Sequence, residues 1–231
     1  KLLILIIYVH QLLCLGQNCT DPFKLFDSIC VYASDIQLSY CKSWEKCNED
    51  GGRLVIEKDI PTINKLITFN QNIKYYISLN DLVNERYANK SGWVFSDGQE
   101  IKNINLWAGT QPDVNNNYQD CVTISNGKLH NCKCTLENNF ICVMESVKEI
   151  KSRKFLIKTE GIFNDDSKFE CFDYVKVDNI YDCITKSLDK SYYKSGFFDS
   201  DRQECILSKY VSSLLPHSMK KSSENNIFQF Y

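Results

Sequence analysis

Ser39-Tyr40-Cys41-Lys42-Ser43-Trp44-Glu45-Lys46-Cys47-Asn48-Glu49-Asp50-Gly51-Gly52-Arg53-Leu54 is the stretch on which the fold turns. Serine caps helices because its hydroxyl accepts from backbone N–H groups of the first turn, so Ser39 predicts a helix that runs through Cys47. Gly51-Gly52 stops it, since a glycine after the last turn enters the left-handed conformation cheaply. A second helix is predicted after Asp59, with Pro61 in its first turn and Ile63, Leu66, Ile67 and Phe69 facing inward. Short β-type runs follow at Tyr75 to Leu79, Trp93 to Phe95, Cys121 to Ile124 and Phe140 to Val143. Turn formers such as Ser96-Asp97-Gly98 and Ser125-Asn126-Gly127 separate them. The predicted class is α+β with much loop.

Outward from that stretch, the cysteines set the compartment. The chain has 12 in 231 residues. At the N-terminus, Lys1-Leu2-Leu3-Ile4-Leu5-Ile6-Ile7 is interrupted by His10 and Gln11, resumes at Leu12 to Leu15 and reaches Gly16, the order of a secretory signal peptide over residues 1–16. A membrane helix needs about 20 mostly apolar residues, and here polar Gln17-Asn18-Cys19-Thr20-Asp21 follows instead, so no membrane span is expected. Loss of Cys14 with the signal leaves an odd number of cysteines in an oxidising lumen, where disulfides persist. The expected localisation is secreted and extracellular, with an unpaired cysteine available to link oligomers. The sequons Asn18-Cys19-Thr20 and Asn89-Lys90-Ser91 offer glycosylation at Asn18 and Asn89. The chain begins with Lys1 and not Met, which reads as a fragment.

Bulk properties exclude other classes. With 43% hydrophobic and 13% aromatic residues, the chain has material for packed cores and is not a disordered sequence. A net charge of -2, with both signs interleaved, provides no basic field for a phosphate backbone, so nucleic acid is not an expected partner. The charged, cysteine-free stretch from Met144 to Lys154 divides the chain into residues 17–144, a linker at 145–154 and residues 155–231.

Several ordered motifs in the first part resemble a C-type lectin domain. They are the helix-ending Cys47 before Gly51-Gly52-Arg53-Leu54, then Tyr76-Ile77-Ser78-Leu79, Trp93-Val94-Phe95-Ser96-Asp97-Gly98 and Trp107. Gln111-Pro112-Asp113, Asp120-Cys121-Val122, Cys134 and Phe140-Ile141-Cys142 complete the series. The resemblance implies bridges Cys47–Cys142, Cys121–Cys134 and, for the longer variant of the family, Cys19–Cys30. The second part, with a helix expected around Tyr181 to Lys190 before Gly196-Phe197-Phe198-Asp199 and Cys205-Ile206-Leu207-Ser208, is similar to a PAN or apple module. That likeness implies a staple from Cys183 to Cys205. It places Ser187 and a position near Lys194 where a second bridge would stand, and puts the mate of Cys171 beyond Tyr231. A chain that continues past Tyr231, or a link between two chains through Cys171, follows as the expectation.

Calcium-dependent sugar binding in the C-type lectin family implies oxygen ligands around a hard cation whose shell is completed by two sugar hydroxyls. Gln111-Pro112-Asp113 matches the galactose-type triplet, with a cis proline expected between the flanking ligands. Gln119 stands where an acidic ligand is expected, and Leu129-His130-Asn131 stands for the family's Trp-Asn-Asp. The ligand-binding candidates are therefore Gln111, Asp113, Tyr118, Gln119, His130 and Asn131, with Asp113 the one clear metal ligand. Calcium affinity follows the number of anionic oxygens, and one carboxylate does not compensate for dehydrating the ion. The sequence therefore argues against a required cofactor, with a rearranged Ca²⁺ site using Asp120 as the alternative. Tyr118 offers an aromatic face to a sugar, or is a half-buried loop tyrosine.

Two other chemistries are weighed at the same residues. His130-Asn131-Cys132-Lys133-Cys134 carries zinc-type ligands, but the oxidising compartment favours disulfides, with Cys132 and Cys41 the surplus pair. An enzyme needs a nucleophile with a base or a pair of tuned acids, and His130 and His217 lie in no such motif, so catalysis is not expected. The resulting expectation is a secreted recognition protein with Leu106 to Asn131 as its contact loop. Its partners would be glycans or glycoproteins, with a protein ligand and a vestigial sugar site as the rival.

Overall fold

The computed structural model describes residues 19–68, 73–81, 92–113, 119–144, 155–158, 162–163, 171–190, 193, 195–209, 220–221 and 226–230. Residues 1–16, expected from the sequence to be a signal peptide, residues 145–154, expected to be a linker, and Asn18, Phe69, Asn89 and Tyr118 lie outside these residues. No described helix is long and apolar enough to cross a membrane.

The chain opens with strands β1 (Lys24–Phe26) and β2 (Ile29–Ala33), then helix α1 (Tyr40–Glu49), strand β3 (Gly52–Leu54) and helix α2 (Ile60–Ile67). Strands β4 (Tyr75–Asn80), β5 (Cys121–Ser125), β6 (Lys128–Cys132) and β7 (Asn139–Met144) follow. They form a seven-stranded sheet in the order β1-β2-β7-β4-β5-β6, with β3 also paired to β7. The β4–β7 pair is parallel and the other described pairs of this sheet are antiparallel.

Helix α1 begins after Ser39 as predicted, but the Ser39 hydroxyl makes no capping hydrogen bond. The start is held instead by the Tyr40 N–H donating to the Cys134 carbonyl at 3.0 Å and by the Ser43 hydroxyl donating to the Ser39 carbonyl at 2.9 Å. Gly51 ends the helix at φ 83°, and Gly52 next to it lies so close to the core that a Cβ would sit 2.6 Å from the Phe23 ring and 2.8 Å from the Val143 carbonyl. Helix α2 buries Ile60, Ile63 and Ile67, with Leu66 half-buried beside them. Its entry is fixed by Asp59, which accepts from Arg53 Nη1 at 2.6 Å and from the Ile56 N–H at 3.0 Å. Trp93 to Phe95 is not a full strand: Val94 alone bridges Asn80 and Glu100, while Trp93 packs edge-on against Trp107 at 5.0 Å.

In the second half, strands β8 (Phe155–Lys158), β9 (Ile162–Phe163) and β10 (Phe172–Lys176) precede helix α3 (Ile180–Leu188). Strands β11 (Ser195–Asp199), β12 (Glu204–Ser208), β13 (Lys220–Lys221) and β14 (Asn226–Phe230) complete it. Five of them make a sheet in the order β10-β12-β11-β14-β8, while β13 pairs with β9. Asn179 caps α3 through its side-chain oxygen, which accepts from the N–H groups of Tyr181 and Asp182.

Five disulfides join Cys19–Cys30, Cys41–Cys171, Cys47–Cys142, Cys121–Cys134 and Cys183–Cys205, at Cα separations of 5.5, 5.2, 5.3, 5.1 and 5.3 Å. All fall within the roughly 4.4–6.8 Å that a disulfide spans. The Cys41–Cys171 bridge corrects two expectations at once. Cys41 does not join Cys132, which is the free thiol among the described cysteines, and Cys171 finds its mate on α1 and not beyond Tyr231 or on a second chain. Sequence alone could not see this pairing because it needs the β10 end brought against the outer face of α1. Phe172, Phe197 and Ile206 join Tyr40 and Trp44 of α1 in one buried cluster there. Lys209, fully buried, places its ammonium on the Glu45 carboxylate of α1 and 3.9 Å from Asp173.

Candidate functional site

The sequence-predicted candidates gather where the segment after Trp107 runs along β6. Strand β6 pairs with β5 across a tight turn in which Asn126 and Gly127 both have positive φ, the backbone that Asn-Gly adopts at least cost. The hairpin takes the Cys121–Asn131 end of what the sequence assigned to the contact loop, which is thereby shortened to the stretch from Leu106 to Asp120. His130 is a strand residue opposite Thr123 and half-buried.

Gln111–Pro112 is cis, and the residues around it are fastened to β6 through side-chain amides. The Ala108 N–H donates to the Leu129 carbonyl at 3.0 Å. The Asn131 N–H donates to Gln111 Oε1 at 3.0 Å, and the Asp113 N–H donates to Asn131 Oδ1 at 2.9 Å. Asn131 Nδ2 in turn donates to the carbonyls of Asp113 at 3.1 Å and Gln119 at 3.3 Å. One asparagine therefore ties both sides of the loop to the strand, and Gln111 is its counterpart. The sequence named these residues but not this role, because amide roles depend on the facing backbone. Gln119 contributes its main-chain carbonyl, and Tyr118 lies outside the described residues.

These bonds test the site against Ca²⁺. The amide oxygens of Gln111 and Asn131 each already accept a backbone N–H, and a hard cation is held chiefly by anionic oxygens. Among the described residues, no group of three His, Cys, Asp or Glu side chains is placed to hold a metal. The carboxylates of the loop are those of Asp113 and Asp120, and the set does not fit a family-type calcium cage.

Burial shifts the titration of three groups along the loop and β6. Burial raises the pKa of Asp120 from 3.8 to about 6, and burial, with the nearby Lys74 charge, lowers that of His130. Burial also pushes the Cys132 thiol up to about 11, against the smaller lowering effects of Tyr76, Lys74 and Thr123. For Asp120 the folded value lies above the unfolded one, so its contribution to stability is full below pH 3.8 and is lost as pH rises through about 6. Asp120→Asn is therefore expected to be more stable than the parent at pH 7, with the gain disappearing below pH 3.8. Urea midpoints measured at the two pH values check this, and an equal gain at both would place its cause elsewhere.

Residues 36–144 match the family model described as the Lectin C-type domain. Among curated proteins, the chain is 26% identical over 130 residues to C-type lectin domain family 4 member M of Symphalangus syndactylus, covering 54% of this chain and 29% of that protein. It is 25% identical over 133 residues to C-type lectin domain family 4 member G of Mus musculus, covering 56% of this chain and 44% of that one. The chain thus spans less than half the length of these curated relatives. Among solved structures, the mouse scavenger receptor C-type lectin carbohydrate-recognition domain is 25% identical with a TM-score of 0.46, covering 55% of this chain and 98% of that domain. The family-model match and the relatives support a C-type lectin domain in this region, with the mixed α+β content and disulfides described above.

Proposed function

We propose that the chain, carrying a C-type lectin domain at residues 36–144, is a secreted recognition protein that binds carbohydrate or glycoprotein through the Gln111–Asp113 loop without requiring calcium. The observation that supports this reading is the amide clamp: Asn131 and Gln111 order the loop by hydrogen bonds that in a calcium-dependent site would compete with the metal. A loop held by its own chain needs no ion to present side chains to a sugar.

The domain limits belong to the same reading, with 1–16 as leader, 17–144 as the lectin-like unit, 145–154 as linker and 155–231 as a PAN- or apple-like module. Support for the last comes from the Cys183–Cys205 staple between α3 and β12, which fastens a helix across an antiparallel sheet. Asn18 and Asn89 are the proposed glycosylation sites.

A glycan array with and without EDTA tests the function. Galactose-type binding is expected in both arms and is expected to fall in Asp113→Ala without loss of fold, since loops on a rigid scaffold tolerate change. Millimolar Ca²⁺ is expected to leave the melting temperature unchanged, because only a ligand that binds the native state raises it. Binding abolished by EDTA would reject calcium independence. No glycan bound in either arm would favour the second reading, a protein-binding domain whose sugar site is vestigial; the loss of two acceptor oxygens to the clamp favours it specifically.

A further inference from the structure

Three cysteines stand together at the open end of the β5–β6 hairpin, and only two of them are bonded. Cys121 is joined to Cys134, while in the strand register it lies directly opposite Cys132, the free thiol. Directly opposed residues of an antiparallel pair project to the same face with Cα atoms about 4.5–5.5 Å apart, which is inside the span of a disulfide. Cys121 therefore has two partners within bridging range, one two residues beyond the other.

We propose that this cluster is an internal disulfide switch, in which Cys132 and Cys134 exchange places as the partner of Cys121. The Cys132 thiolate attacks the Cys121 sulfur, the Cys121–Cys134 bond breaks, a Cys121–Cys132 bond forms and Cys134 leaves as a thiolate that takes up a proton. One disulfide and one thiol stand on each side of the step, so no oxidant or reductant is consumed. The loop closed by the bridge is barely shorter afterwards, so chain entropy favours neither form strongly.

The surroundings connect the two forms. The Cys132 thiol donates to the Tyr76 hydroxyl at 3.9 Å, and that hydroxyl donates to the carbonyls of Leu136 at 2.7 Å and Lys133 at 3.1 Å. Tyr76 thus holds both the attacking thiol and the turn that carries the leaving sulfur. Cys134 is buried, but Lys133, Thr135, Leu136 and Glu137 around it are exposed. Exchange moves the free thiol from the half-buried end of β6 to a buried position within an exposed turn. It acts one residue from Asn131, whose side chain orders the Gln111–Asp113 loop. The inference rests on the cysteine register and not on the ligand the loop binds.

Peptide mapping tests it. Full-length protein is incubated at mildly alkaline pH, quenched in acid, labelled with N-ethylmaleimide under denaturing conditions and digested without reduction. Label on Cys134 together with a Cys121–Cys132 peptide is expected, and both are expected to vanish in Cys132→Ser. Label confined to Cys132 under all conditions would overturn the switch. Cys134→Ser gives a second readout: a Cys121–Cys132 bridge is expected, and recovery of both as free thiols in the folded variant would likewise overturn it.

Discussion

Replacing Cys47 and Cys142 together by serine is expected to remove about 4 to 5 kcal/mol of stability in the chain-entropy account, because the bridge closes a loop of sequence separation 95. Single domains have only about 5–15 kcal/mol in total, so little folded protein is expected to accumulate. The bridge ties α1 to β7, the strand that pairs with β2, β3 and β4, and both cysteines are fully buried. Serine hydroxyls placed there would add the cost of burying polar groups without partners. The Cys19–Cys30 bridge, with a separation of 11, provides the comparison: its double serine variant is expected to lose about 3 kcal/mol or less. Urea denaturation of the two variants checks the order. Peptide mapping that recovered Cys47 or Cys142 as a free thiol in the parent would overturn it.

What the sequence could and could not show follows from the range of the interactions. The helix ending at Gly51-Gly52 and the helix starting near Pro61 are written in local signals, a left-handed glycine and a proline in a first turn, and both stand within a residue or two of their predicted positions. Strand β6 was not legible because Lys128-Leu129-His130-Asn131-Cys132 alternates weakly and gains its identity from β5 across the Asn126-Gly127 turn. The same holds for the site. Gln111 and Asn131 were recognisable as residues, yet the bonds of Gln111 to the Asn131 backbone and of Asn131 to the Asp113 and Gln119 backbone depend on two segments meeting. The contact between the halves was wholly hidden: nothing in the spacing of Cys41 and Cys171, 130 residues apart, marks them as partners. The Cys41–Cys171 bridge and the burial of Lys209 belong to the same contact.

That contact carries the second large expectation. Lys209 is 0% exposed, and its ammonium meets Glu45 of α1, 12% exposed, and Asp173, 32% exposed. Asp173 also accepts from the Tyr193 hydroxyl, so its carboxylate keeps a donor if the lysine is lost, whereas Glu45 keeps, among the described residues, Lys42 at 2.9 Å on the surface side. Removing one member of a buried pair leaves the other charge without compensation, at a cost of about 3 to 5 kcal/mol. Lys209→Ala is therefore expected to lower the urea midpoint by an amount in that range, with the slope of the transition unchanged. The origin of the loss can be separated from simple loss of packing. If it comes from the stranded carboxylate, Lys209→Met with Glu45→Leu should recover most of it, because a buried ion pair exchanged for apolar groups of similar volume is often neutral. If the loss comes from the aliphatic stem of the lysine, Lys209→Met alone should recover it and the Glu45 change should add nothing. A Lys209→Ala variant as stable as the parent would show that the two halves do not bury this charge against α1, and the Cys41–Cys171 contact would then have to form without it.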